Sequence, residues 1–247
     1  MVQAPQCIDS TAPALSRLLA RLTNIDVPES SQSLAARLSQ WLGWTDAIAL
    51  SAALNGAPPA VASGVRSFGS AEEHECARVR ATLAKTIAND NAFATASPRG
   101  SAHRNPQAAP IDATLDYAAF RQRYLAMQQT METAISELRG RLRRMLAART
   151  PDMARLALVD ATMERALGAH ERNLLGAVPG LLAGHFERLR QAGQAAPDDA
   201  PASVNTPPVT SDFWLDVFRK DMQSVLLAEL DVRFQPVEGL LAALHTR

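Results

Sequence analysis

The chain has few of the residues that build strands, cross-links or metal centres. Only 5% of its 247 residues are aromatic, and its two cysteines, Cys7 and Cys76, lie far apart without CxxC spacing. That excludes a disulfide framework and a cysteine-built zinc module. Lysine is almost missing, with 2 Lys against 23 Arg, and neither sign of charge is in excess, since 25 basic and 25 acidic side chains cancel. Zero net charge removes whole-molecule attraction to nucleic acid or to an anionic membrane. The arginine bias runs through candidate helices and linkers alike, so it reflects a preference for GC-rich codons as much as any binding role. No apolar run reaches the roughly 20 residues that a membrane-spanning helix needs. The longest uncharged stretch, Ala47 to Val65, is broken by Asn55-Gly56 and Pro58-Pro59. At the N-terminus, Arg17 and Arg21 interrupt the apolar part, which is not the order of a signal peptide. The expectation is a cytoplasmic protein without direct membrane insertion.

What the chain has in quantity is alanine and leucine, 46 and 30 residues respectively. Both lead the helix propensity scale, so the composition points to an all-α fold. The pattern agrees. Leu15, Leu18, Leu19 and Leu22 form one stripe, and a helix over Leu34, Leu38, Trp41 and Leu42 is expected after a Ser30-Ser31 cap. It bends at Gly43 and resumes with Thr45 as a new cap. SAEE at Ser70–Glu73 fits a capping box for a helix to about Asn89. From Tyr117, the residues Phe120, Tyr124, Met127, Met131, Ala134 and Leu138 alternate steps of three and four, a heptad seam of the coiled-coil type. Thr150-Pro151 then ends one long helix and opens another, which a connection so short makes antiparallel neighbours. Gly176 and Pro179 interrupt that second helix. Ser211-Asp212 cap a C-terminal helix, and Pro236 opens a last short one.

Three stretches rich in Gly, Pro, Ser, Ala or Asn read as linkers: 56–69, 93–110 and 193–208. The organisation expected is an N-terminal helical region over 13–91, a linker over 92–112, and a long antiparallel hairpin packed with C-terminal helices over 113–247, with a mobile loop at 193–210.

No cofactor is implied, and motifs for catalysis are missing: there is no GxSxG, no phosphate-binding GxxxxGK[ST] and no GxGxxG after a strand. The chain is expected not to be an enzyme. His170 and His185 lie on apolar stripes, each followed by Glu, but without HExxH spacing they read as ordinary helix histidines and not as a metal site. Tyr117, Tyr124, Met127 and Met131 on the seam, with Trp214 and Phe218, are the residues expected to receive a protein partner, because such a seam serves a partner helix as readily as an internal one. Arg139, Arg143 and Arg144 carry the alternative, a nucleic-acid-associated protein. The bland reading of those arginines is a dipole-matched helix end paired internally: Tyr117 to Arg149 holds 7 basic and 2 acidic residues, whereas the chain from Pro151 onward holds 9 basic and 13 acidic.

LSQWLGWTDAIALSAALN, FRQRYLAMQQTMETAISELRGRLRRML and FRKDMQSVLLAELDVRFQPVEGLLAAL together resemble an uncharacterised proteobacterial family, a domain of unknown function. The resemblance implies a bacterial cytosolic protein encoded near OmpA-like, stator-type membrane proteins, and carries over no activity or catalytic residue. The functional expectation is a non-enzymatic adaptor or scaffold that binds another protein, through self-association or as a component of a membrane complex.

Overall fold

Burial of apolar stripes decides which of these helices form and where they stop. A computed structural model describes residues 13–24, 32–56, 70–90, 117–195 and 213–245, and every regular element among them is helical. The order is α1 (Ala14–Thr23), α2 (Leu34–Trp41), α3 (Trp44–Asn55), α4 (Ser70–Ala88), α5 (Tyr117–Ala147), α6 (Pro151–Gly176), α7 (Val178–Ala195) and α8 (Phe213–His245). The protein is all-α.

At the centre are α5 and α8, which pack side by side; α8 also touches α1, α4 and α7. Leu215, Phe218, Met222, Val225, Leu226, Leu230, Phe234, Val237, Leu240 and Leu244 of α8 are buried along its whole length. They share one core with Phe120, Tyr124, Met127, Met131, Leu138, Leu142 and Leu146 of α5. Leu15 and Leu22 of α1, and Cys76, Leu83 and Ile87 of α4, join the same core, so the N-terminal helices do not enclose one of their own.

The hairpin forms as its turn chemistry dictates. Thr150 caps α6, its hydroxyl accepting from the Met153 amide at 3.2 Å, and Pro151 takes the first helical position, where a missing N–H costs nothing. Ties between the two helices pair Arg143 with Asp160, Ser136 with Glu164, Glu132 with Arg172 and Gln128 with Leu175, so residue numbers fall on one helix as they rise on the other. That order fixes an antiparallel hairpin. At the other end α6 stops at Gly176 and α7 starts at Val178, the expected break.

Several boundaries differ from expectation. The cap of α2 is Ser33, whose hydroxyl accepts from the Ala36 amide at 3.2 Å. The chain breaks fully between α2 and α3, and Gly43, not Thr45, caps α3, with its amide donating to the Asp46 carboxylate at 3.3 Å. Pro236 does not open a new helix: α8 runs through it. An interior proline costs about 3 kcal/mol, but Phe234, Val237, Leu240 and Leu244 continue the buried stripe of Leu226 and Leu230, and that burial outweighs the lost N–H. The loop expected from 193 begins later, because Gly193 is part of α7. The remainder of that loop, the linker over 92–112, nearly all of 56–69 and the Ser211-Asp212 cap lie outside the described residues.

Gly193 is where α7 meets the start of α8. A Cβ there would stand 2.6 Å from Cδ1 of Trp214. In Gly193→Ala the gain in helix propensity, about 1 kcal/mol, is outweighed by an overpacking cost of about 1–3 kcal/mol. Gly239→Ala in α8, whose Cβ meets nothing within 4 Å, has only the propensity gain. Urea denaturation should show the first variant less stable than the parent and the second more stable.

Candidate functional site

The seam residues lie inside the chain. Tyr124, Met127, Met131 and Phe218 are buried, and Tyr117 and Trp214 are half-buried against the same core. Phe186 of α7 is the hub of an aromatic cluster, with ring centroids 5.0 Å from Phe218, 5.3 Å from Trp214 and 5.5 Å from Tyr117. The knob positions of the seam are therefore filled by the chain's own helices, and no open face is left along it for a partner helix.

Beside this cluster is a polar assembly that the sequence did not single out. Glu229 of α8 has no solvent exposure. Its carboxylate accepts from the Tyr124 hydroxyl at 2.8 Å, from Gln128 Nε2 at 2.9 Å and from Arg233 Nε at 2.8 Å. Arg233 reaches on to Glu171 of α6 at 3.1 Å. Gln128 Nε2 also donates to the Leu175 carbonyl at 2.9 Å. In an unbroken helix that carbonyl would accept from the amide four residues on, but residue 179 is proline and has no N–H. Gln128 supplies the missing donor, and Tyr117 donates to the Pro179 carbonyl on the other side of the break. The i,i+4 pair Glu229–Arg233 inside the apolar string LLAELDVRF was the available signal. On a helix such a pair reads equally well as a solvated one.

Burial pushes the Tyr117 phenol up to about 12. Burial, then the neighbouring Glu229 carboxylate, raises that of Tyr124 further. Both phenols hold their proton more tightly folded than unfolded, so their contribution to stability is complete below the ordinary phenol range near pH 10 and is lost as pH rises through the folded values. These are the only two tyrosines in the chain. In a spectrophotometric titration, tyrosinate should be negligible at about pH 10 in the folded protein and should appear together with loss of helical circular dichroism at higher pH.

Two of the three arginines of the nucleic-acid alternative are occupied. Arg139 Nη2 contacts Asp160 at 2.7 Å, and Arg143 contacts Asp160 at 3.1 Å and Glu164 at 2.5 Å. Arg144 is exposed and borders an open groove of about 900 Å³ on α5, whose other lining residues include Glu132, Ser136, Glu137 and Arg141. Mixed charge there gives no basic track for a phosphate backbone. The histidines occupy separate surroundings: His170 stacks on Trp41 at 4.4 Å between centroids, whereas His185 Nε2 lies 2.8 Å from Asp221 Oδ2. Among the described residues no cluster of three His, Cys, Asp or Glu side chains could hold a metal ion, and no helix is long and apolar enough to cross a membrane.

The open apolar surface is elsewhere. The sequence of α3, WTDAIALSAALN, is apolar on all sides of the helix, which normally implies burial all round. Instead α3 packs on α6 along one side, burying Ala53, and leaves Trp44 82%, Ile48 54% and Leu54 51% exposed. Trp44, Ile48 and Ser51 follow one another at steps of four and three along the outer face, which bears no charged side chain other than the capping Asp46. The signal for it was visible in the same string.

Replacing Gln128 by Leu leaves the Leu175 carbonyl beside the proline with only the Ala177 amide as donor and removes one donor from Glu229. Gln128→Leu should lose about 1–3 kcal/mol in chemical denaturation, with the largest rise in amide exchange around 174–181.

No curated protein and no solved structure matches the chain. Residues 1–246 match the family model described as protein of unknown function (DUF3348), and with its whole described fold inside that span the chain belongs to this family.

Proposed function

We propose that the protein is a non-enzymatic cytoplasmic adaptor that docks another protein, and that the docking element is the outer face of α3. The observation that carries this reading is the mismatch between the composition of α3 and its environment: a helix apolar on every side, covered on one. A contiguous apolar surface with an exposed tryptophan at its end has the composition of an interface centre, where aromatic side chains supply most of the binding energy and charge is depleted. The polar groups point the same way. The fully buried Glu229 carboxylate is saturated by three donors, and the open groove on α5 is bounded by other residues. The seam over Tyr117–Met131 anchors α5 to α8, and α5 in turn carries α6 and hence α3.

Affinity capture with mass spectrometry tests this when the native chain is compared with a Trp44→Ser, Ile48→Glu variant. Both substitutions fall on exposed positions, so the melting temperature should move by no more than the few degrees typical of surface changes. The expected result is a protein retained by the native chain and lost, by about tenfold or more, from the variant, as removal of a hot-spot pair entails. Equal recovery of every protein by both chains would overturn the reading. Light scattering on both separates a second copy of this chain from a different partner.

A further inference from the structure

We infer that α6, carrying α3 on its outer side, is a separable layer clasped to α5 by charge, and that it opens before the rest of the fold when those charges are screened. The inference rests on how the two sides of α5 are held and does not depend on what α3 binds.

Toward α8, α5 is held by apolar burial above and below the Glu229 cluster. Toward α6 the contacts are of another kind. The buried residues of α6 are Ala154, Ala157, Thr162 and Leu175, two of them with no side chain beyond a methyl group. Beside Leu175 and the partly buried Met153, the contact is made by a row of polar ties. Arg139 and Arg143, one turn apart on α5, face Asp160 and Glu164, one turn apart on α6, so that each arginine contacts both carboxylates. Ser136 adds a hydrogen bond to Glu164 at 3.2 Å, and Arg172 pairs with Glu132 at 3.1 Å.

Opening the two interfaces differs in cost. An apolar contact pulled apart loses its burial without return. A charged one recovers hydration on both partners, which offsets much of the lost Coulomb energy. A second observation favours the same layer. Of four buried side-chain nitrogens without a hydrogen-bond partner among the described residues, three are Arg139 Nε, Arg155 Nε and His170 Nε2. One belongs to the clasp on α5 and two to α6 itself. Water reaches the Arg139 nitrogen once α6 lifts, and that unpaired group then regains a partner. Because α3 packs on α6, it moves with that helix.

Hydrogen exchange read by mass spectrometry on the full chain, at low salt and at about 1 M NaCl, where the screening length falls to about 3 Å, tests the inference. Peptides from α6 and α3 should exchange about fivefold or more faster at high salt, the factor that corresponds to losing about 1 kcal/mol, while α8 peptides keep their rate. The Asp160→Asn, Glu164→Gln variant should show fast α6 exchange already at low salt and little further response, with α8 protection reporting that it is folded. Salt responses equal for α6 and α8, a variant that keeps the parental salt dependence, or a variant that loses α6 and α8 protection together would each overturn the inference.

Discussion

A carboxylate sealed from water in the middle of α8 constrains everything packed around it. Removing an ionised group from water costs several kcal/mol unless its lone pairs are filled and its charge is balanced. Glu229 meets both conditions only if Tyr124 and Gln128 of α5 stand at its two oxygens and Arg233 stands one turn further along α8. That requirement sets the rotation and register of α5 against α8. Through Gln128 and Arg233 it extends to α6, because one also serves the Leu175 carbonyl and the other also pairs with Glu171. A break in the α6–α7 segment is tolerated at that place because a donor arrives from another helix to replace the one proline lacks.

From this point outward the chain uses two kinds of adhesion. The α5–α8 contact, with α7, α4 and α1 around it, is close-packed and apolar, and the aromatic rings about Phe186 fill its upper end. The α5–α6 contact is small-residue and charged. The pairing of Arg139 and Arg143 with Asp160 and Glu164 satisfies part of the opposite charge of the central helix and the C-terminal block within the molecule, while Arg123 pairs with Asp90 and Arg141 with Glu75. It also places the helix with the most unexplained exposed apolar surface, α3, on the less firmly held side.

Much of this architecture was legible in the sequence because local chemistry and global packing agreed. Thr150-Pro151 marked the hairpin turn through capping, Gly176 and Pro179 marked the break, and the steps of three and four from Tyr117 marked the buried side of α5. Where local and global preferences conflict, the sequence misleads. Pro236 reads as a helix start because proline favours that position, yet a buried stripe on both sides carries α8 through it. The seam reads as a surface for a partner because periodicity shows that a stripe is buried but not by what; the complementary stripe of α8, about 100 residues on, fills it. Glu229 escaped notice for a related reason. Its spacing to Arg233 matches a solvated pair, and only the third dimension shows three donors converging on it.

The Glu229 carboxylate is a net tie between α5, α6 and α8 and not a tolerated cost. Glu229→Gln keeps the shape, removes the charge and leaves Arg233 with Glu171 alone. The measurement is its unfolding free energy in urea beside that of the native chain. A loss of about 3–5 kcal/mol, with an unchanged denaturant slope, is the expected result. A variant as stable as the native chain, or more stable, would contradict the account, since it would mean that desolvating the charge costs as much as its three donors return.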